Sequence, residues 1–571
     1  MRRILVIGAN ILWFLSTLIS SRRWNRATRN VAQVQKKVLL DIVRRNRSTA
    51  FGKEHGFGTV TTVEKYRDSV TPKPYEGFEP SIARIADGEI GVLTEEPVKL
   101  FEPSSGTSGG KKLIPYTGSL QKEFQAGIDP WINRLYRGHP GMFFGKAYWS
   151  IAPVADMDFT KGGLPVGFAT DSEYLGSLQR SVVETVMAVP KEVSLLRDVE
   201  AFRYVTALFL LATRDLALIS VWHPSFLTLL FEVMELNVER LVRDVANGTI
   251  ADDRVTNESR VILEKKLRPD AKRADEIGRV FLSRKGKIGT WKNDRGKTLY
   301  EELWPKLRVV SCWGDAQAGH FFDRLRTYFP STYCEPKGLI ATEGFISFPV
   351  GEECGSALSL RSHFFEFREV VGSDTAERIL LAHELRKGRK YEVLLTTSGG
   401  FYRYDLGDIV EVSGFQAQCP VMRFVGKESS FVDVCGEKLS ESEVTEVARR
   451  VFMKYGVAVD FWMLAPEVTD ADTIGYTLFL KDRSGPGIPE DTARIIGGEI
   501  DIGLGHNFHY SLCRKLDQLQ RIRVFMIRSG SDPAGQYLDR CHREGQRLGN
   551  IKPRVLHPGW DWGKVFLGTY V

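Results

Sequence analysis

Apolar residues along this chain follow two patterns, a helical periodicity and short continuous runs. An amphipathic helical pattern covers residues 32–46. Short, nearly continuous apolar runs, typical of buried strands, follow at 147–152, 216–222 and 307–313, and a helical stretch covers 317–328. Because strand-like and helix-like segments alternate, the pattern predicts an α/β body with a largely parallel sheet.

The pattern changes between residues 357 and 412, where adjacent strands separated by glycine turns predict a β-rich subdomain. A domain boundary is predicted near Gly426 and Lys427. The elements expected beyond it are strands at 457–464, 474–480 and 521–527 and helices at 441–454, 489–504 and 509–516. Together they predict a compact α+β unit of about 145 residues. We therefore expect an N-terminal segment (1–23), a large domain (24–425) and a small domain (426–571).

Residues 4–20 are largely apolar and are flanked by arginine pairs on both sides. As a helix, this run would be about 25 Å long, against about 30 Å of bilayer hydrocarbon. No small-residue cleavage site follows, which disfavours a removed signal peptide. Three interpretations stay open: a short membrane anchor, an interfacial helix, or a hydrophobic helix docked on the globular body. We favour membrane association, with the rest of the chain on the cytoplasmic side.

Composition is that of a globular chain with well-mixed charges. The 571 residues are 43% hydrophobic and 26% charged, and 78 Lys and Arg against 71 Asp and Glu give a net charge of +7. This balance permits anionic ligands or a membrane surface, and no zinc-finger or aromatic-basic RNA-binding pattern occurs. The seven cysteines are scattered and lack a Cys-x-x-Cys spacing. We expect reduced thiols, no nucleic-acid partner and a monomer.

The most informative segment is the loop Ser104-Ser-Gly-Thr-Ser-Gly-Gly-Lys-Lys112. Its small residues leave many backbone N–H groups free to wrap around phosphate oxygens, and hydroxyls and a lysine add donors and charge. The spacing does not fit the Walker pattern. A flexible linker is the alternative, but linkers seldom lie between apolar runs or end in paired lysines. The loop predicts a nucleotide-phosphate site.

A second loop, Gly338-Leu-Ile-Ala-Thr-Glu-Gly344, follows a predicted strand at 332–334. The hydroxyl of Thr342 beside the carboxylate of Glu343 could serve a phosphate and its Mg²⁺, which prefers hard oxygen ligands. A helix N-cap followed by a first-turn glutamate explains the same residues equally well. This loop alone therefore decides nothing.

A third segment, Tyr402-Arg-Tyr-Asp-Leu-Gly-Asp408, is more specific. It predicts a strand with Arg403 between two aromatic residues, then a turn, then Asp408. A carboxylate at that place can accept hydrogen bonds from both hydroxyls of a ribose. Arg403 could stabilise charge that develops on a phosphoryl or carboxylate group. The alternative is a β-hairpin with an ion pair at its turn.

Other chemistries find little support in the sequence. Ten histidines without a paired-ligand spacing argue against a catalytic zinc, and no Gly-x-Ser-x-Gly nucleophile elbow occurs.

In this order, the three loops resemble the motifs of adenylate-forming enzymes. The forms Ser-Ser-Gly-Thr-Ser and Tyr-Arg-Tyr-x-x-Gly-Asp resemble one branch of them, the auxin-responsive-promoter family of acyl acid amido synthetases. The stretch 46–57, Phe364-Phe-Glu-Phe367 and Asn550-Ile-Lys-Pro-Arg554 are also similar to that family, and the resemblance covers about residues 30–565. Thr342 stands where the family usually has serine, and the late motif is imperfect around Lys552.

The resemblance implies an α/β fold with a large adenylate-forming domain of mixed sheets and a smaller, mobile α+β C-terminal domain. It implies ATP-dependent adenylation of a carboxylic acid, with Mg²⁺, followed by transfer of the acyl group to an amine, typically an amino acid. The residues that it implies are Ser104, Ser105, Gly106, Thr107, Ser108, Lys112, Thr342 and Asp408 for ATP, Glu343 for the metal, and Arg403, Lys427 and Lys552 for catalysis.

Two alternatives stay open. One is a thioester-forming enzyme of the coenzyme A ligase kind, and the other is a membrane-associated binding protein on an inactive adenylating scaffold. All three nucleotide motifs keep their chemical groups, which disfavours the inactive scaffold.

Overall fold

The computed structural model describes residues 2–105, 111–150, 158–167, 177–282, 296–316, 318–351, 355–370, 378–427, 431–432, 434–435, 437, 439–468, 474–483, 487–515, 518–544, 546 and 551–571. Its helices are α1 Arg2–Ala27, α2 Val31–Arg45, α3 Ala50–Glu54, α4 Val63–Ser69, α5 Glu79–Ala86, α6 Gly118–Gly138, α7 Ser177–Val186, α8 Val199–Ala212, α9 Pro224–Leu236, α10 Val238–Asn247, α11 Asn257–Glu264, α12 Ala271–Leu282, α13 Leu299–Leu303, α14 Ala318–Tyr328, α15 Glu441–Lys454, α16 Glu490–Leu504, α17 Phe508–Lys515 and α18 Pro533–Arg543.

Its strands are β1 Leu100–Ser105, β2 Lys111–Tyr116, β3 Lys146–Trp149, β4 Asp158–Phe159, β5 Pro165–Val166, β6 Leu216–Ser220, β7 Val309–Cys312, β8 Tyr333–Pro336, β9 Ile340–Ala341, β10 Gly344–Phe345, β11 Ser347–Pro349, β12 Ser356–Leu358, β13 Phe364–Glu369, β14 Ile379–Leu381, β15 Lys390–Thr396, β16 Tyr404–Gln416, β17 Cys419–Lys427, β18 Phe431–Val432, β19 Leu439–Ser440, β20 Val459–Val468, β21 Ile474–Asp482, β22 Gln520–Ile527 and β23 Gly568–Tyr570. The chain forms two compact units, residues 1–424 and 425–571.

A parallel sheet lies at the centre of one half of the first unit. Its strand order is β3-β6-β7-β8, and each neighbouring pair is parallel. Every residue of β6 and β7 is buried, as expected of parallel strands that helices cover on both faces. The predicted parallel sheet is confirmed, with strands somewhat shorter than the apolar runs.

The other large sheet of this unit has the order β11-β12-β17-β16-β15-β13-β14. Its strands β13, β15 and β16 are antiparallel neighbours, which confirms the change to β-rich structure predicted for this region. Phe364, Phe365 and Phe367 of β13 are buried, and so is Glu366 between them. A carboxylate inside an aromatic run needs partners, and those partners belong to the candidate site.

The apolar N-terminus forms the single helix α1, which continues through the second arginine pair to Ala27. At 26 residues it is about 39 Å long, so the helix extends well beyond the apolar run 4–20. One face of α1 lies in the core of the first unit, where Trp13 and Trp24 are almost fully buried. Docking on the body, one of the three interpretations, therefore describes this face.

The second unit has its own core and sheet. The strand order is β20-β21-β22-β23, with β21 and β22 parallel and the other pairs antiparallel. Helix α15 spans the residues predicted for it, and α16 begins one residue later than predicted and ends where expected. Leu464, Leu478 and Ile496 are buried in this core.

A buried carboxylate lies near the end of β8. Glu335 accepts hydrogen bonds from Trp131 Nε1 at 2.9 Å and from Ser311 Oγ at 3.0 Å. Burial raises the pKa of this carboxyl group from 4.5 to about 7, although both hydrogen bonds and the charge of Lys337 act in the opposite direction. The folded protein therefore holds the proton of Glu335 more tightly than the unfolded chain does.

A raised carboxyl pKa makes the folded state lose stability as the pH rises from 4.5 through about 7, with the full loss above that value. We expect Glu335→Gln, which stays neutral, to gain thermal stability relative to the parent protein between pH about 5 and about 8. The limit is about 3 kcal/mol for a shift of this size. The measurement is the difference in unfolding midpoint between the two proteins across that range. Glu239→Gln, at an exposed helical position, should show no such trend, and a pH-independent difference for Glu335→Gln would contradict the prediction.

Candidate active site

The predicted phosphate loop connects two antiparallel strands. Strands β1 and β2 pair so that Ser104 faces Lys112 and Ser105 faces Lys111. The predicted ligands Gly106, Thr107 and Ser108 belong to residues 106–110, which lie outside the described residues. The structure thus places the base of this loop, at the ends of two paired strands.

Tyr75 fixes that base. Its hydroxyl accepts a hydrogen bond from Leu113 N at 2.7 Å and lies 3.2 Å from Leu113 O, and the Lys112 ammonium lies 5.2 Å from the centre of its ring. Burial raises the pKa of Tyr75 to about 12, and the negative charge of Glu343 adds to the shift. The first and second motifs therefore act on the same tyrosine, one by contact and the other through its charge.

The second motif is also a tight hairpin. Thr342 and Glu343 form the two-residue turn between β9 and β10, so the alternative of a helix N-cap was wrong. The Glu343 side chain is largely buried, and Glu343 Oε1 accepts a hydrogen bond from the Tyr404 hydroxyl at 3.1 Å. This bond joins the second motif to the third.

Asp408 lies inside strand β16. The sequence prediction, which put it after a turn, was therefore wrong. The register between β15 and β16 shifts at this point: Asp405 pairs with Leu394 and Ile409 with Glu392. Gly407 takes a left-handed φ of 71° within the bulge, which a residue without Cβ adopts at little cost. The bulge re-aims the strand locally, and Asp408 is 97% buried, with a negative charge that acts on Tyr404 of the same motif.

The electrostatics of Tyr404 report a concentration of negative charge. Burial raises its pKa most, and the charges of Glu343, Asp408 and Glu76 raise it further. Three carboxylates thus act on one hydroxyl. The negative potential that they create favours a nearby cation.

A buried histidine supports the second motif from behind. Phe345 N donates to His363 Nε2 at 2.9 Å, so Nδ1 carries the proton and donates to Glu123 Oε2 at 3.0 Å. The same carboxylate accepts from Ser398 N at 3.0 Å. A Cβ on Gly344 would lie 2.9 Å from His363 Nε2, so only glycine permits this approach. Sequence reasoning missed both side chains, because their partners are distant in the chain.

Arg403 does not lie on a strand, which corrects the sequence prediction. It belongs to the connection between β15 and β16 and has a left-handed φ of 50°. Its guanidinium binds Glu366 with two hydrogen bonds, 2.8 Å from Nε and 3.0 Å from Nη2, and Nη1 donates to Val70 O at 2.8 Å. Arg67 Nε binds the same carboxylate at 2.7 Å. These contacts position the connection, and the catalytic role of Arg403 stays a prediction.

Aromatic residues collect at the carboxyl edge of the parallel sheet, where α/β proteins bind ligands. Trp149 ends β3, Trp222 follows β6, and Lys337 follows β8. The Lys337 ammonium is buried and lies 4.7 Å from the Trp222 ring, 5.7 Å from Trp131 and 6.0 Å from Trp149. We call these four residues the indole cluster. Single-sequence reasoning had no spacing that would reveal it.

The two remaining predicted residues belong to other places in the chain. Lys427 ends strand β17. Lys552 is exposed in the second unit, where Tyr537 donates to its carbonyl oxygen at 3.3 Å. Further along, Glu441 accepts from the backbone of Val555 at 2.7 Å, which ties this segment to helix α15. The choice between the two lysines stays a prediction.

Comparison with known proteins finds family models and relatives that cover most of the chain. A family model described as the GH3 family N-terminal domain matches residues 21–334, and the GH3 family central domain matches residues 356–427. Indole-3-acetic acid-amido synthetase GH3.4 of Arabidopsis thaliana is 25% identical over 76% of this chain and 73% of its own length. Jasmonoyl-L-amino acid synthetase JAR6 of Nicotiana attenuata is 25% identical over 78% and 80%.

A solved structure has the same fold. The AtGH3.15 acyl acid amido synthetase in complex with 2,4-DB matches with a TM-score of 0.81 at 19% identity, over 95% of this chain and 94% of that one. The predicted fold class, a large α/β unit followed by a smaller α+β unit, is confirmed by this match.

The ion pair of Arg403 yields a testable prediction. Glu366→Gln leaves two guanidinium groups facing a neutral side chain in a buried place, and we expect a loss of about 3 kcal/mol in the stability of the first unit. Thermal unfolding measures it. Glu89→Gln, which breaks an exposed pair with Arg84, is the matched control and should change the midpoint little. Equal effects of the two substitutions would show that the buried pair does not hold the connection.

Proposed function

The chain belongs to the GH3 family, and on that premise we propose that it is an acyl acid amido synthetase that uses ATP. The family resemblance drawn from the motifs is confirmed by the matching models. The observation that carries the proposal is the linkage of the three motifs. The Tyr404–Glu343 hydrogen bond joins the second motif to the third, the Lys112 ammonium lies over the ring of Tyr75, and the charges of Glu343 and Asp408 act on Tyr75 and Tyr404 respectively. An inactive scaffold would have no need to keep these groups together.

The proposed reaction has two steps. The carboxylate oxygen of the acid attacks the α-phosphorus of ATP, and the bond to the pyrophosphate oxygen breaks, giving an acyl-adenylate and pyrophosphate. An amine, such as that of an amino acid, then attacks the acyl carbon. The amide forms, AMP leaves with the electron pair of the broken bond, and the amine gives up a proton.

The residues divide this work between them. The segment from Ser104 to Lys112 would hold the phosphates. Lys112 would supply positive charge as negative charge develops on the oxygens of the α-phosphate. Asp408 would accept hydrogen bonds from the ribose hydroxyls. The hydroxyl of Thr342 would donate a hydrogen bond to a phosphate oxygen. Each role matches the donor or acceptor that the side chain offers.

Glu343 would hold Mg²⁺. Its carboxylate offers hard oxygens in a region that three carboxylates make negative, which fits the ion. When bound, Mg²⁺ would neutralise part of the charge on the phosphates. Tyr404 keeps the Glu343 side chain in one orientation, since its hydroxyl donates to Oε1.

We also propose that the indole cluster receives the acid. A carboxylate is an anion, and Lys337 supplies a buried cation at the sheet edge where ligands bind. The indole rings supply apolar surface for the remainder of the acid. Glu343 follows Lys337 by six residues in the chain, so the acid and the phosphates would lie on one continuous segment. The acids named for the relatives, indole-3-acetic acid, jasmonic acid and 2,4-DB, are the first to test.

Exchange of labelled pyrophosphate into ATP in the presence of an acid tests the first step. We expect exchange in the parent protein, and loss of it to background in Asp408→Ala, with an unchanged circular dichroism spectrum. Glu411→Ala, a carboxylate three residues further along β16, is the control and should retain exchange. No exchange with any acid would favour a binding protein, and exchange without amide formation would favour a thiol acceptor. Parent-level exchange in Asp408→Ala would remove the ribose role.

Lys337→Met keeps the length of the side chain and removes its charge. If Lys337 binds the carboxylate of the acid, the KM for the acid should rise at least about tenfold, the cost of one charged hydrogen bond, while the KM for ATP changes little. Steady-state kinetics separate the two constants. Lys272→Met, at an exposed position of α12, is the control. An equal rise in both KM values would indicate a general structural role.

A further inference from the structure

Helix α1 has two unlike faces. The face that enters the core carries Trp13 and Trp24, which are 1% and 2% exposed. The opposite face presents six large apolar side chains that are 43% to 73% exposed: Ile4, Leu5, Ile11, Leu12, Leu15 and Ile19. We call these six the outer stripe, because their spacing keeps them on one side of the helix. A contiguous exposed apolar surface of this kind marks an interaction site.

Polar contacts fasten the inner face along the body. Asn10 donates from Nδ2 to Gly145 O at 2.9 Å and accepts from the Tyr136 hydroxyl at 2.6 Å. Asn133 Nδ2 donates to Thr17 Oγ1 at 2.9 Å, and Trp24 Nε1 donates to Leu358 O at 3.1 Å. To cross a bilayer, α1 would have to leave all of these partners, and Asn10 would enter hydrocarbon with its amide unsatisfied.

The helix is long and apolar enough to span a membrane, with a mean hydropathy of 1.9 over its most apolar window. One third of that window is buried inside the protein. Length and composition therefore permit a crossing, and the fastened face opposes it. A helix held in this way can offer only its outer stripe to lipid, lying in the plane of the surface.

The charged residues of α1 are all basic. α1 contains no acidic residue. Arg3 is exposed near one end, and Arg22, Arg23 and Arg26 are exposed near the other. Arg361 adds positive charge near this end of the helix. Burial lowers its pKa most, and the charge of Arg23 lowers it further. Basic residues at both ends of an apolar stripe are what an interfacial helix needs to meet anionic headgroups.

The exposed hydroxyl on this side of the helix presents no obstacle to lipid contact. Ser16 Oγ donates to the carbonyl oxygen of Trp13 at 2.7 Å. A hydroxyl that already donates within its own helix loses little when water leaves.

We propose that α1 is an in-plane membrane-binding helix whose partner is an anionic phospholipid surface. The outer stripe inserts among the upper acyl chains, and the arginines at its two ends contact phosphate groups. The helix remains folded on the body while it does so. This proposal is independent of the amido synthetase function, because none of its residues belongs to the candidate active site.

Sedimentation of the full chain with vesicles tests the proposal. We expect binding to vesicles of phosphatidylcholine mixed with phosphatidylserine, weaker binding to phosphatidylcholine alone, and a decrease with added salt. Leu12→Ser with Leu15→Ser should lower the partition coefficient at least about tenfold, given the apolar area withdrawn from lipid. Leu236→Ser with Ile502→Ser is the matched control, since these side chains are 85% and 70% exposed elsewhere and should leave binding unchanged.

A second pair of variants tests the charges. Arg22→Gln with Arg23→Gln should weaken binding to the anionic vesicles and leave the weak binding to phosphatidylcholine unchanged. Arg449→Gln with Arg450→Gln, two exposed arginines of α15, removes the same charge elsewhere and should have little effect. An equal loss in both pairs would mean that net charge, and not α1, determines binding.

Other outcomes overturn the proposal outright. Absence of binding to either vesicle would do so, and so would binding that resists alkaline carbonate extraction, which would indicate a spanning helix. If the parent protein forms dimers that Leu12→Ser with Leu15→Ser dissociates, and does not bind vesicles, the stripe is a contact between copies. Thermal unfolding checks that the variants keep their fold. Deletion of residues 1–23 is avoided, because it would uncover the core beneath Trp13.

Discussion

The ion pair between Arg403 and Glu366 is the interaction on which the geometry of the candidate site depends. Arg403 takes a left-handed backbone conformation, which costs a residue with a Cβ about 1 kcal/mol. The two hydrogen bonds to Glu366 and the bond to Val70 O offset that cost. Because the connection is held at this point, β16 begins at Tyr404 in the register that brings its hydroxyl to Glu343. A looser connection would let the strand slip and separate the second and third motifs.

A second interaction that holds the site differs from this ion pair in its chemistry, since it uses the hydrogen bonds of a neutral histidine. His363 accepts from the backbone of Phe345 and donates to Glu123, whose carboxylate also binds Ser398 N. The segments of Phe345, Glu123 and Ser398, which are remote in the chain, are thus joined through the imidazole ring and the carboxylate bound to it. The hairpin that carries Glu343 is thus fixed from its buried side.

The sequence could predict what local periodicity and local chemistry determine. The parallel sheet follows from apolar runs between helices, and the bounds of α15 follow from its own pattern. The motifs identify Glu343 and Asp408 because their residue types match a known chemistry. Arg403 could not be placed, because its conformation depends on Glu366, 37 residues away, and His363 pairs with a carboxylate 240 residues away. One local signal was present: a glutamate inside Phe-Phe-Glu-Phe must find a cation when that strand is buried.

The N-terminal helix and the indole cluster are two further features that local sequence patterns could not predict. Hydropathy averages all faces of α1, so it could not separate the face that Asn10 fastens from the face that stays exposed. Three members of the indole cluster lie where strands β3, β6 and β8 end at one edge, and Trp131 comes from helix α6. The lysine of the cluster lies six residues before Glu343, the proposed metal ligand. Lys337 N donates to Cys312 O at 2.7 Å, and Leu339 N donates to Ser347 Oγ at 2.9 Å. Because Lys337 and Leu339 are both held in this way, the start of the segment that leads to Glu343 has a fixed position relative to the sheets. In the proposed reaction, an acid bound at Lys337 would start close to the α-phosphate, which is how a fold contributes proximity to a reaction.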